Sequence, residues 1–285
     1  MPRQSRTTPT LFIIGGAEDR VGRASLLRQF VTLSGGRRSR LVVVPTASSM
    51  PAEMAQSYVD VFTRLGCPQV EVIDPESREE AHDPDAVALV DDATGVFMSG
   101  GSQLRLSQVL PGTPLGDALH RAHARGCVVG GSSAGASIMS DFMISMGEEG
   151  VTPRQRASQL TAGLGLLSGV VVDQHFGQRA RYGRLLSVIA PSPHLLGIGI
   201  DEDTAIVVRD GREFTVRGSG SVFVLDCRSA RTDAPEAKDG APLLVSGASV
   251  HTLPAGATFD LVEARLTAFE EQHPDVLVAL ATARA

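Results

Sequence analysis

The chain has 285 residues, 42% of them hydrophobic, 20% charged and only 4% aromatic, a composition that can bury a substantial core and excludes a wholly disordered chain. Its 26 basic and 32 acidic side chains give a net charge of −6, which argues against a nucleic-acid platform. No apolar run approaches the roughly 20 residues of a membrane span, and residues 1–10 read as a flexible polar arm rather than a secretory signal, so no membrane partner and a cytoplasmic setting are expected.

Short β-branched runs recur over residues 11–14, 41–44, 70–73, 95–98 and 127–129. Segments of helical period lie between them, over 22–34, 52–65, 103–110 and 115–124. Continuous apolar strands alternating with amphipathic helices predict an α/β fold, with a mostly parallel central sheet and helices on both faces. In such a sheet the chemistry gathers at the carboxyl ends of the strands, where the loops converge. Residues 195–225, with a turn at Asp210-Gly211, predict antiparallel hairpins that continue the sheet. The polar stretch 228–242 reads as an exposed loop, and a helix is predicted over 261–272. Without an internal repeat or a long linker, 1–285 is expected to be a single domain.

Three scattered cysteines, Cys67, Cys127 and Cys227, give neither a disulfide framework nor a zinc site. Lys238 is the only lysine and sits in the polar loop, which leaves little room for Schiff-base chemistry. His120 and His123 lie three apart on a predicted helix with no carboxylate beside them, so a solvated face is expected there and no metal.

The most informative segment is Gly131-Ser132-Ser133-Ala134-Gly135, directly after an apolar strand and before a predicted helical run over 137–143. A Gly-x-Ser-x-Gly turn in that setting is a nucleophile elbow, which strains the central serine and exposes its hydroxyl. Ser133 occupies the centre, and the neighbouring Ser132 is the less favoured candidate. Of seven histidines, His175 is best placed to act as the base. It ends Asp173-Gln174-His175, after another β-branched run, and so falls on the same rim. An orienting acid is available in Asp201-Glu202-Asp203, at the end of a further strand, and spacing does not choose among the three. Arg179, Arg181 and Arg184 follow the histidine closely, and guanidinium forks there point to an acidic ligand. Gly163-Leu164-Gly165 precedes a strand rather than following one, and Gly15-Gly16-Ala17-Glu18-Asp19 lacks a phosphate-loop lysine. Both read as packing turns, and no cofactor is required.

Gly15 to Asp19, Ser99-Gly100-Gly101-Ser102-Gln103, the elbow, Asp173 to Arg184 and Gly197 to Ala205 together resemble the cyanophycinase family of serine peptidases, in family order over residues 15–205. The elbow is shared with the related aspartyl dipeptidases. The resemblance implies a fold similar to class I glutamine amidotransferase domains and a triad of Ser133, His175 and Glu202, which selects among the three acids. It implies Gln103, Asp173, Gln174, Arg179, Arg181 and Arg184 as substrate-binding positions, with the backbone N–H groups of Gly101 and Ala134 as an oxyanion hole. Ser102 departs from the pattern, where an acidic or amide residue is expected. The implied substrate is cyanophycin, a poly-aspartate backbone with an arginine on each side-chain carboxylate, cut to β-Asp-Arg dipeptides. A homodimer is implied as well. Two alternatives stand beside this reading: a dipeptidase for short aspartyl peptides, and a non-catalytic protein that binds acidic peptides on the same scaffold.

Overall fold

A computed structural model describes residues 8–271 of the chain. Its centre is β1 (Thr10–Ile14), β2 (Arg40–Val44), β3 (Gln69–Val72), β4 (Gly95–Met98) and β5 (Val128–Ser132). These five strands are mutually parallel, in the spatial order β1-β5-β4-β2-β3. The helices α1 (Ser25–Leu33), α2 (Pro51–Arg64), α3 (Pro84–Asp92), α4 (Gln103–Val109) and α5 (Pro114–Ala124) connect them.

Because side chains alternate along a strand, each of these buried runs feeds two cores. Leu11, Ile13, Val42, Val44, Val96 and Met98 pack on one face with Val90, Leu106, Leu115 and Leu119 of α3, α4 and α5. Phe12, Ile14, Leu41, Val43 and Phe97 pack on the other with Leu27, Phe30, Tyr58 and Phe62 of α1 and α2. The second face is aromatic, with the rings of Phe30, Tyr58, Phe62 and Phe97 in mutual contact. The strand ends that carry the elbow are therefore clamped from both sides.

After β5 come a short helix, α6 (Ala134–Ser137), and a separate hairpin of β6 (Phe142–Gly147) and β7 (Ser158–Ala162). The helix predicted over 137–143 is thus confined to α6. The backbone groups of Ile138 to Asp141 pair with residues 163–167 instead of continuing it, as in Leu164 N–H to Ile138 O at 2.6 Å and Leu167 N–H to Met139 O at 2.9 Å. The strand β8 (Val170–Gln174), the helix α7 (Tyr182–Ile189) and β9 (Leu196–Ile200) form a parallel unit over a third core that includes Val171, Leu185 and Ile189.

The hairpin region does not extend one sheet but divides between two. β10 (Thr204–Arg209) and β11 (Glu213–Gly218) run antiparallel beside β1, whereas β12 (Ser221–Asp226) returns to pair with β9. After the two-residue strands β13 (Arg231–Thr232) and β14 (Val245–Ser246), β15 (Ser249–Pro254) completes a four-stranded sheet, β15-β12-β9-β8. β16 (Ala257–Asp260) and β17 (Arg265–Phe269) close the edge of a nine-stranded main sheet.

That edge corrects the predicted helix 261–272, whose last residue lies outside the described ones. Asp260 takes the N–H groups of Val262 and Glu263 at 2.9 Å each, and Ala264 stands at φ 47, which turns the chain back into β17. Apolar residues spaced to imitate a helical face here serve a strand that pairs with β16. Among the described residues, no helix is long and apolar enough to cross a membrane.

Candidate active site

The carboxyl ends of β1, β5, β8 and β9 meet at one place because three backbone hydrogen bonds tie them through β1. Ser133 N–H donates to Ile14 O at 3.0 Å, His175 N–H to Gly15 O at 2.8 Å, and Asp203 N–H to Gly16 O at 2.8 Å. The two sheets are thereby locked together at the rim where the candidate residues sit.

Ser133 occupies the elbow at φ 54 and ψ −108, a conformation that costs an L-residue roughly 1–3 kcal/mol and persists only where its surroundings enforce it. The carbonyl of Ser133 accepts from Ala136 and Ser137 N–H, both at 3.0 Å. A methyl group at Gly131 would lie 2.4 Å from the carbonyl oxygen of Gly135, so the tight strand-to-helix return needs glycine there. The Ser133 hydroxyl, on a half-buried residue, lies 3.0 Å from His175 Nε2, and His175 Nδ1 lies 2.6 Å from Glu202 Oε1.

The three consecutive acids separate by what each one meets. Asp201 accepts from Gly177 N–H at 2.9 Å, and from Ser221 N–H and Oγ at 3.0 and 2.9 Å, so it is committed to holding turns. Asp203, at φ 46, accepts from Ser219 Oγ at 2.9 Å. Only Glu202 reaches the imidazole. A carboxylate cannot donate, so Nδ1 carries the proton towards Glu202, and Nε2 is left as the acceptor facing Ser133.

Burial pushes the His175 pKa below its ordinary value of 6.5; the Glu202 hydrogen bond opposes this, and the positive charge of Arg179 adds to it. A neutral imidazole aimed at a strained hydroxyl and backed by a carboxylate can withdraw the hydroxyl proton during attack on a carbonyl. The turn at Gly100 lies against the serine, a Gly100 methyl falling 3.2 Å from Ser133 Cβ. Gly101, at φ 145, follows in the same turn, and Ala134 heads α6 directly after the serine.

A second hydroxyl acceptor is Gln174, whose Oε1 is 3.2 Å from Ser133 Oγ. Gln174 Nε2 in turn donates to Gln103 Oε1 at 3.4 Å, and Gln103 Nε2 donates to the carbonyl of Ile144. Asp173 lies one residue deeper, only 1% exposed, between Arg184 Nε at 2.7 Å and Arg181 Nη1 at 3.4 Å. Arg181 also donates to Gln174 O at 2.6 Å and faces Glu149 at 3.6 Å. The forks of Arg181 and Arg184 thus meet an internal carboxylate, and Arg179 is the exposed member of the series. Ser102 caps α4 by accepting from Arg105 N–H at 3.4 Å.

Two participants lie in the segment that the sequence reading takes for a packing turn. Gly16, at φ 107, runs directly along the imidazole face, where a methyl would fall 2.4 Å from His175 Cε1. Glu18 is buried and accepts from Ser132 Oγ and from Tyr58 OH. The available signal was a glycine pair immediately after the first strand, followed by an acid within reach of the elbow.

Comparison with known proteins gives the family. The model of Peptidase family S51 matches residues 11–216. A cyanophycinase of Nostoc sp. is 39% identical over 261 residues, covering 90% of this chain and 87% of its own. The cyanophycinase of Geminocystis herdmanii is 35% identical over 253 residues, covering 88% of this chain and 93% of its own. Among solved structures, a peptidase from an acI-B1 Actinobacterium superposes with a TM-score of 0.64 at 24% identity, over 90% of this chain and 98% of that one, which is a likeness of fold.

Proposed function

The chain belongs to peptidase family S51 and is a serine peptidase, and from that premise we propose that it hydrolyses cyanophycin to β-Asp-Arg dipeptides with Ser133, His175 and Glu202 as its catalytic triad. The observation that carries the reading is the continuous line from hydroxyl to imidazole to carboxylate, 3.0 and 2.6 Å between successive atoms.

In this mechanism Ser133 Oγ attacks the amide carbon as its proton passes to His175 Nε2. The imidazolium so formed is stabilised by Glu202, which takes no proton itself. The backbone N–H groups of Gly101 and Ala134 receive the oxyanion, where fixed donors lower the barrier more than mobile water would. The Nε2 proton then goes to the departing amine, the C–N bond breaks, and an ester to Ser133 remains. Water attacks that ester with His175 as base, releasing the acid and restoring the hydroxyl.

Arg179 is an exposed cation near the triad and Gln103 is half-buried; these two take the substrate's polar groups directly, and Gln174, only 4% exposed, meets the serine from the buried side. Asp173, Arg181 and Arg184 form the buried layer beneath them. The curated relatives at 35–39% identity are named cyanophycinases, which supports the polymer over short aspartyl peptides. The reading includes a homodimer, which light scattering on the purified protein tests.

The chemical test is product identification. The parent protein incubated with cyanophycin releases β-Asp-Arg, and Ser133→Ala releases none. Cleavage of α-Asp dipeptides with the polymer left intact would move the assignment to a dipeptidase. Binding of acidic peptides with no hydrolysis would move it to a non-catalytic protein.

A further inference from the structure

The loop after β1 buries a carboxylate against the residue preceding the elbow serine, a placement the mechanism above does not use. Ala17, at φ 49, turns the chain into Glu18, which is 7% exposed, and the adjacent Asp19, which is exposed. Asp19 holds the outer loop by accepting from the N–H groups of Val21, Gly22 and Ala24. Glu18 Oε1 accepts from Tyr58 OH at 2.5 Å, and Glu18 Oε2 accepts from Ser132 Oγ.

Both donors are sealed in, Tyr58 at 2% exposure and Ser132 at 3%. Burial and the neighbouring Glu18 push the Tyr58 pKa well above 10, so the phenol keeps its proton and remains a donor. Above the Tyr58 ring the Arg20 guanidinium lies 5.3 Å from the centroid. Two hydroxyl donors therefore fill the two oxygens of one carboxylate, and Ser132 spends its single proton there.

We infer that Glu18 is a positioning residue for the reaction: through Ser132 it fixes the backbone at the residue before Ser133 and keeps the neighbouring hydroxyl out of the chemistry. The inference rests on Ser133 as nucleophile. A residue held at φ 54 and ψ −108 needs constraints on both sides. On the C-terminal side the turns of α6 supply them through the Ser133 carbonyl. On the N-terminal side, β5 ends at Ser132, whose side chain is anchored by Glu18. In the isosteric Glu18→Gln, one amide oxygen accepts from only one hydroxyl while the NH2 faces the other, so either Ser132 or Tyr58 loses its acceptor.

The test is the rate constant for labelling of Ser133 by an organophosphonate in the parent, Glu18→Gln, Ser132→Ala and the double variant, with kcat and KM in parallel. Each single variant slows labelling and kcat by at least about tenfold with KM held within about twofold, as expected when a reacting group is displaced but binding is not. The double variant is no slower than the slower single one, because the two residues act as one unit. The labelled fraction at completion equals that of the parent, which separates positioning from loss of folded protein. Should Glu18→Gln fail to fold, Ser132→Ala, which removes only a hydroxyl, carries the same test. Parental labelling rates in the single variants, slowing that multiplies in the double, or a fall in labelled fraction at unchanged rate overturns the inference. A parent protein labelled elsewhere than Ser133 overturns instead the reading on which it stands.

Discussion

Gly16→Ala perturbs the imidazole without replacing any hydrogen-bonding side chain. The added methyl would fall 2.4 Å from Cε1 and 2.5 Å from Nε2 of His175, whereas ordinary contact starts at 3.4 Å. The ring must retreat by about 1 Å, and a misplacement of that size in a reacting pair costs about 100-fold in rate, close to 2.7 kcal/mol of barrier. A φ of 107 adds backbone strain of roughly 1–3 kcal/mol, which appears in the unfolding free energy rather than in the turnover of folded enzyme. Gly100→Ala is the graded control. Its methyl would stand 3.2 Å from Ser133 Cβ, which a shift of a few tenths of an ångström relieves, so less than about tenfold is expected. The assay is kcat with the fraction of active sites titrated, beside urea unfolding of each variant. A Gly16→Ala enzyme turning over within about threefold of the parent would refute the claim that this backbone sets the position of the ring.

Four other outcomes follow from the same geometry. Glu202→Gln, which can no longer enforce the Nδ1–H tautomer, is expected to lose about 10²–10⁴ in kcat with KM little changed, read from steady-state kinetics. The working base is neutral His175, so activity falls as acid protonates it; with burial depressing its pKa, the acid limb of kcat/KM has its midpoint below 6.5. Arg179→Ala, which removes a repelling charge, moves that midpoint upward. Asp173→Asn takes the buried negative charge from Arg184, 6% exposed, while Arg181 keeps Gln174 O and Glu149, and is expected to destabilise the fold by about 3–5 kcal/mol in urea titration.

The apolar strand runs and the elbow were legible because their physics is local: a strand buried on both faces must be continuously apolar, and a sharp return needs glycines at fixed offsets. His175 was legible as the end of such a run. The choice among Asp201, Glu202 and Asp203 was not, because it depends on which backbone groups each carboxylate meets after the turn at Asp203 and the pairing of β9 with β12. The resemblance selected Glu202, and the geometry gives a reason in the turns that occupy its two neighbours. The arginine series shows a different limit. Composition registers three cations near a base, but Asp173, which two of them grip, becomes their partner only when α7 folds back along β8. Residues 261–271 carry apolar residues at near-helical offsets, and long-range pairing with β16 decides for a strand. Gly16 and Glu18 escaped because a close approach to a ring and a buried acid's donors exist only in three dimensions.

The central claim is that Ser133 is the nucleophile, and it is tested most directly by peptide mapping of the protein after reaction with an organophosphonate. A single adduct on Ser133, absent from Ser133→Ala and formed slowly in His175→Ala, is the predicted result. An adduct on Ser132 or any other residue, or hydrolysis of substrate that survives in Ser133→Ala, would contradict it.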